Sequence, residues 1–214
     1  MLEIFLKGGI AMYPILLLSV ISLAVFLERL VVLRKEKYIP RVFESDIIDL
    51  LRKKELNEAK NLCLENKSSL ANVSLSIITN TDLPLTRLLE VADESGRREV
   101  LKLDKYQQTL QTIVAIAPLL GLLGTVFGMI TIFNVIAMQG AGQAQDLSAG
   151  IAEALITTAA GLIVAIPTQI FYHIVRSKAD EIADELEKSA SNVMNLIFKE
   201  GEEWNSEPKK MNQI

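Results

Sequence analysis

Apolar and polar residues in this chain are segregated into blocks rather than alternating. Three long apolar runs stand out, at about residues 10–33, 113–137 and 147–174, and charged stretches lie between and after them. The run 113–137 carries no charge. As a helix it is about 37 Å long at 1.5 Å per residue, enough to cross a bilayer with some tilt. The first run is too long for a signal-peptide core, lacks a small-x-small cleavage site, and continues past Glu28 and Arg29 through residues 30–33. It therefore reads as a retained first span. Pro14 falls in its first turn, where a missing N–H costs little, and Tyr13 suits an outer aromatic anchor. Glu28 and Arg29 could form a buried pair, but an arginine at a span's end usually reaches the surface, so an interfacial position is expected.

Helical periodicity extends through the polar segments. Pro40 can open a helix with Val42, Phe43, Ile47, Leu50 and Leu51 as its apolar positions. A second follows near residues 55–65, with Leu56, Ala59, Leu62 and Cys63, and a weaker one at 68–80. After Pro84, Leu85, Leu88, Leu89 and Ala92 are spaced i, i+3, i+4, i+7. Residues 97–111 contain no helix breaker, which predicts one long helix continuing into the second span. Beyond Arg176, Ile182, Leu186, Ser189, Val193 and Leu196 keep a heptad spacing. That stripe could close a bundle in a ring of subunits, or pack on residues 34–111 of the same chain. Gly201 is expected to end this helix and leave a polar tail.

The predicted fold is an all-α integral membrane protein of three transmembrane helices with long cytoplasmic helical extensions. Its segments are an N-terminus 1–9, span one 10–33, a helical segment 34–112, span two 113–137, a link 138–146, span three 147–175, a helix 176–200 and a tail 201–214. Basic residues set the orientation. Arg29, Arg34, Lys35, Lys37 and Arg41 crowd the exit of span one; Arg97, Arg98, Lys102 and Lys105 precede span two; Arg176 and Lys178 follow span three; the link has none. By the positive-inside rule the N-terminus and the link face out, and residues 34–111 and the C-terminus the cytoplasm.

Composition agrees and excludes several classes of function. The 214 residues are 50% hydrophobic yet 22% charged, which requires the segregation just described. A net charge of −4, with no basic stripe interleaved with aromatics, argues against nucleic acid as a partner. One cysteine, Cys63, and one histidine, His173, exclude an internal disulfide and a Cys/His zinc site within one chain, so no metal and no cofactor are expected. No phosphate-cradling glycine loop and no nucleophile–histidine set suggests an enzyme.

The candidate chemistry lies in spans two and three. Residues 117–130 read APLLGLLGTVFGMI, with Gly121, Gly124 and Gly128 on one narrow face and Thr125 beside it. Gly124-x-x-x-Gly128 permits close backbone approach, and Pro118 frees a carbonyl that must be satisfied again. The seam is built to pack against something, though a packing helix alone would look the same. In span three, Glu153 lies between Ala152 and Ala154, with Thr157 and then Gly161 one and two turns on, Thr158 on an adjacent face, and Pro167 and Gln169 beyond. A carboxylate at mid-bilayer costs about 3 kcal/mol, less toward the interface. Glu153 is either a charge near the outer headgroups, complementing the helix dipole, or part of a water-accessible file with Thr125, Thr157 and Thr158. His173 is expected only at the inner interface.

Residues 117–130, followed by GIAEALITTAAGLIVAIP at 150–167, resemble the MotA/TolQ/ExbB proton-channel family, as do Arg97, Arg98 and Glu99 on the approach to Ile116, Ala117 and Pro118. Three spans with a large first loop are similar to its ExbB and TolQ branch. The resemblance implies a homopentameric subunit of a bacterial inner membrane. Its central pore would hold helices of an ExbD/TolR-like single-span partner, whose membrane Asp carries the proton, and ion flow would drive a TonB/TolA-like envelope client. It also implies that Thr125 and Thr158 are pore hydroxyls and Glu153 the family's third-span glutamate. From the residues themselves, one acid within spans two and three is too little for a complete relay, so another protein must supply a carboxylate or Glu153 is structural. A passive scaffold is the rival reading, and a small-solute permease ranks behind both because few polar groups remain to recognise a solute.

Overall fold

Each apolar run folds as one long helix, and the polar segment between the first two folds as several short ones. The computed structural model of the protein describes residues 8–139 and 144–206, with side chains at 8–138 and 148–198. In order they form α1 Met12–Val32, α2 Lys35–Tyr38, α3 Arg41–Arg52, α4 Leu56–Glu65, α5 Ser69–Thr79, α6 Leu85–Leu103, α7 Gln107–Gln139 and α8 Ala144–Ser206. No strand occurs among the described residues. Three helices, α1, α7 and α8, are long and apolar enough to cross a membrane. The chain divides into two compact units: α1, α7 and α8 as far as Arg176 in one, α2 to α6 and α8 from Ser177 onward in the other.

In the first unit, α1 buries Ile15, Ser22 and Arg29, a stripe with seven-residue spacing. It runs parallel to α8: a Cβ on Gly8 would stand 3.3 Å from Ile156 Cγ2, and Phe26 stacks on Phe171 at 4.1 Å between ring centroids. Residue numbers rise along α7 as they fall along α8, so that pair is antiparallel, with Gly121 opposite Thr157 and Thr158 and Gly128 opposite Gly150 and Ala154. This threading fits three successive crossings.

Two expectations fail here. Arg29 is only 3% exposed instead of reaching the surface. Its guanidinium donates to Glu28 through Nε at 2.6 Å and Nη2 at 2.8 Å, and lies 5.0 Å from the Tyr106 ring centroid. A carboxylate and an aromatic face compensate the desolvated cation. The long helix expected through 97–111 is also broken. α6 ends at Leu103 and α7 starts at Gln107, with Tyr106 at φ 66° between them. A left-handed non-glycine residue costs about 1–2 kcal/mol, and here it sits where the tyrosine ring meets Arg29. No glycine or proline marks the break in the sequence.

In the second unit α5, the weakest helix by pattern, is the most enclosed. Leu70, Ala71, Val73, Ser74, Ile77 and Ile78 are all buried, because a helix apolar around most of its girth can be covered on several sides. It packs against α4, α6 and α2, while α3 packs against α4. Ser68 caps α5 by accepting from Ala71 N at 3.2 Å. The outer helices use only part of their apolar stripes. α3 buries Phe43, Ile47 and Leu51 and leaves Val42 exposed; α6 buries Leu88 and leaves Leu85 and Leu89 exposed. Burial in α4 pushes the Cys63 thiol up to about 12, so at neutral pH the reactive thiolate is absent.

The heptad stripe of α8 is covered by its own chain. Ile182, Leu186, Ser189 and Val193 are buried in the single protomer. Ser189 Oγ donates to Glu44 Oε1 at 2.5 Å, and Lys35 pairs with Glu185. Packing on the 34–111 segment is therefore the arrangement present. α8 also continues through Gly201 to Ser206, since one helical glycine costs only about 1 kcal/mol and does not stop a helix. The rest of the expected tail, 207–214, lies outside the described residues, as do residues 1–7 and 140–143.

Glu99 ties this unit together. Its carboxylate is 5% exposed and accepts from Ser69 Oγ at 2.7 Å, Asn72 Nδ2 at 3.0 Å and Lys102 Nζ at 2.5 Å. Three donors offset the desolvation of the charge. Glu99→Ala leaves the α5 donors buried without an acceptor, and is expected to cost about 2–3 kcal/mol. Hydrogen exchange on the full chain should then show lost amide protection in α5 and α6; unchanged protection would refute the role.

Candidate functional site

The glycine seam of α7 has its partner inside the chain. A Cβ on Gly121 would stand 3.0 Å from Thr157 O and from Thr158 Cα, one on Gly124 2.5 Å from Thr157 Cβ, and one on Gly128 2.9 Å from Gly150 O. From the other side, a Cβ on Gly161 would stand 2.6 Å from Ala117 O and 3.2 Å from Gly121 Cα. Each contact involves backbone or a fixed β-carbon, so the two helices approach too closely for a side chain on α7 at these positions. The face read as built to pack against something thus packs on α8 of the same chain. Pro118 and Pro167 lie inside α7 and α8 without ending either helix.

Polar groups cluster along this contact. Thr158 Oγ1 donates across the pair to Gly121 O at 3.1 Å. Thr125 Oγ1 donates to Leu122 O at 2.6 Å on its own helix. Thr157, expected in the polar file, is instead 0% exposed, wedged on Gly124, with Oγ1 donating to Glu153 O at 2.5 Å. Thr125, Thr158 and Glu153 are half-buried in the protomer. Lower on α8, Gln169 Nε2 and His173 Nε2 are 2.7 Å apart on an exposed face.

Several contributors escaped the sequence reading. Gly150 faces Ile132, whose Cγ1 would be 2.6 Å from an added Cβ, and Ala154 is buried. With Gly161 they form a small-residue row on α8 that complements the row on α7, and that spacing was visible. Thr168 is fully buried and donates to Val164 O at 2.7 Å; nothing in its neighbourhood marked it. Gly9, at φ +64°, abuts the Glu153 carboxylate. Its signal was the Gly8-Gly9 pair ahead of span one.

Residues 53–188 match the MotA/TolQ/ExbB proton channel family. The chain is 33% identical over 210 residues to biopolymer transport protein ExbB-like 1 of Synechocystis sp., covering 94% of this chain and 80% of that one. It is 29% identical over 198 residues to the Tol-Pal system protein TolQ of Haemophilus influenzae, covering 85% and 86%. It is also 29% identical over 174 residues to the biopolymer transport protein ExbB of Salmonella typhimurium, covering 76% and 70%.

Proposed function

Because the chain belongs to the MotA/TolQ/ExbB proton channel family, we propose that it is the pore-forming subunit of a proton-driven motor in a bacterial inner membrane. Five copies surround a central pore that holds helices of an ExbD/TolR-like single-span protein. The partner's membrane aspartate carries the proton past Thr125, Thr158 and Glu153, while Thr157 holds the wall behind them. The N-terminus and the 138–146 link face the periplasm, and residues 34–112 and the C-terminus face the cytoplasm. Ion flow is converted into work on a TonB/TolA-like envelope client.

The observation that carries this reading is the locked α7/α8 pair. Its backbones meet through Gly121, Gly124, Gly128 and Gly161, and a hydroxyl bridges them at Thr158. Such a wall is stiff enough to hold polar groups in fixed positions. Residues 113–137 and 147–175 hold Glu153 as their one acid, so a proton crossing needs a second carboxylate from outside the chain. Relatives named ExbB and TolQ support the motor over a passive scaffold. Proton flux into vesicles tests it. Flux should require this chain together with the single-span partner, whereas a scaffold would give none with or without it.

A further inference from the structure

One contact in the membrane unit joins the start of the chain to the acid of span three. Gly9 has φ +64°, a backbone conformation that L side chains rarely adopt, and a Cβ there would overlap Glu153 Oε1 and stand 3.1 Å from Glu153 Cδ. The neighbouring Gly8 meets Ile156, three residues further along the same face of α8, where an added Cβ would be 3.3 Å from Cγ2. The turn formed by these glycines continues directly into α1, with Met12 N donating to Gly9 O and Tyr13 N to Ile10 O, both at 3.3 Å. At its other end Glu153 is held through its backbone, whose carbonyl accepts from Thr157, the residue wedged on Gly124. The α7/α8 seam thus sets the root of the side chain, and the turn before α1 bounds its tip.

We propose that Gly9 is a positioning residue for Glu153: the missing side chain at position 9 leaves the seat in which the carboxylate lies. This rests on the reading that Glu153 serves the proton path. The three atoms nearest to a Cβ at position 9 all belong to the Glu153 carboxylate arm, so a substitution at Gly9 acts first on the carboxylate and displaces it.

Two measurements decide it. With Cys63→Ala as background, Gly9→Cys combined with Glu153→Cys should form an intrachain disulfide on oxidation of native membranes, read as loss of maleimide labelling that reductant restores. Gly9→Cys with Leu155→Cys, whose side chain faces outward, should not. With the partner present, Gly9→Ala should lower proton flux about tenfold, the order expected when a reacting group is misplaced. Glu153→Asp, which withdraws the carboxylate by one methylene, should recover most of that loss when combined with Gly9→Ala. The melting temperature of the purified full chain gives the same cycle without activity: Gly9→Ala should lower it clearly less once Glu153 is alanine. No disulfide, or substitutions at 9 and 153 acting independently in the melting cycle, would overturn the seat. Absence of partner-dependent flux in the unsubstituted protein would overturn the motor reading alone, leaving the disulfide and the melting cycle to decide the seat.

Discussion

Gly161→Val should prevent the membrane unit from folding correctly, and it is the most damaging single change expected in the chain. The obstacle at this position is main chain: Ala117 O would be 2.6 Å and Gly121 Cα 3.2 Å from the first added carbon. Neither can rotate away, so α7 and α8 must separate along their length, and the cross-pair bond from Thr158 to Gly121 O goes with them. Overpacking costs about 1–3 kcal/mol, occasionally more, and this site belongs at the upper end because both obstacles are backbone. The measurements are the amount of folded protein in membranes and its melting temperature after purification. Gly96→Ala is the control, since nothing lies within 4 Å of its added carbon. A helical glycine-to-alanine change there should be neutral or stabilise by up to about 1 kcal/mol. Normal folding of Gly161→Val would mean that the seam is not packed as described.

The second large effect falls on transport and spares the fold. Thr158→Val, Thr125→Ala and Glu153→Ala are each expected to remove partner-dependent proton flux by tenfold or more, roughly the contribution of one positioned proton-transfer or charge-stabilising group. Assembly with the partner should persist. At Thr158 two roles can be separated. Its bond to Gly121 O contributes about 0.5–1.5 kcal/mol to stability, so valine, of similar shape, should lower the melting temperature only slightly. Thr158→Ser keeps the hydroxyl and should retain flux. Should all three primary variants conduct at full rate, the scaffold reading prevails.

The helical class and the three helices long and apolar enough to cross a membrane were legible because apolar runs of 20 or more residues have few other uses. The glycine face of α7 was equally plain, but what it faces was not: spacing shows that a backbone can come close, without saying whose. The heptad stripe after Arg176 had the same ambiguity, and only the covered positions of Ile182 and Val193 resolve it. Arg29 and the break at Tyr106 could not be read, since each makes sense only through the other, across 77 residues of chain. The positions of Thr157 and Gly9 were hidden for a related reason. A hydroxyl can wet a channel or seal a helix pair, and which it does depends on the atoms opposite.

Since α7 and α8 lock through contacts that belong entirely to one polypeptide, the helical hairpin carries its own closure. Lesions in the glycine rows should therefore show as protein that never accumulates.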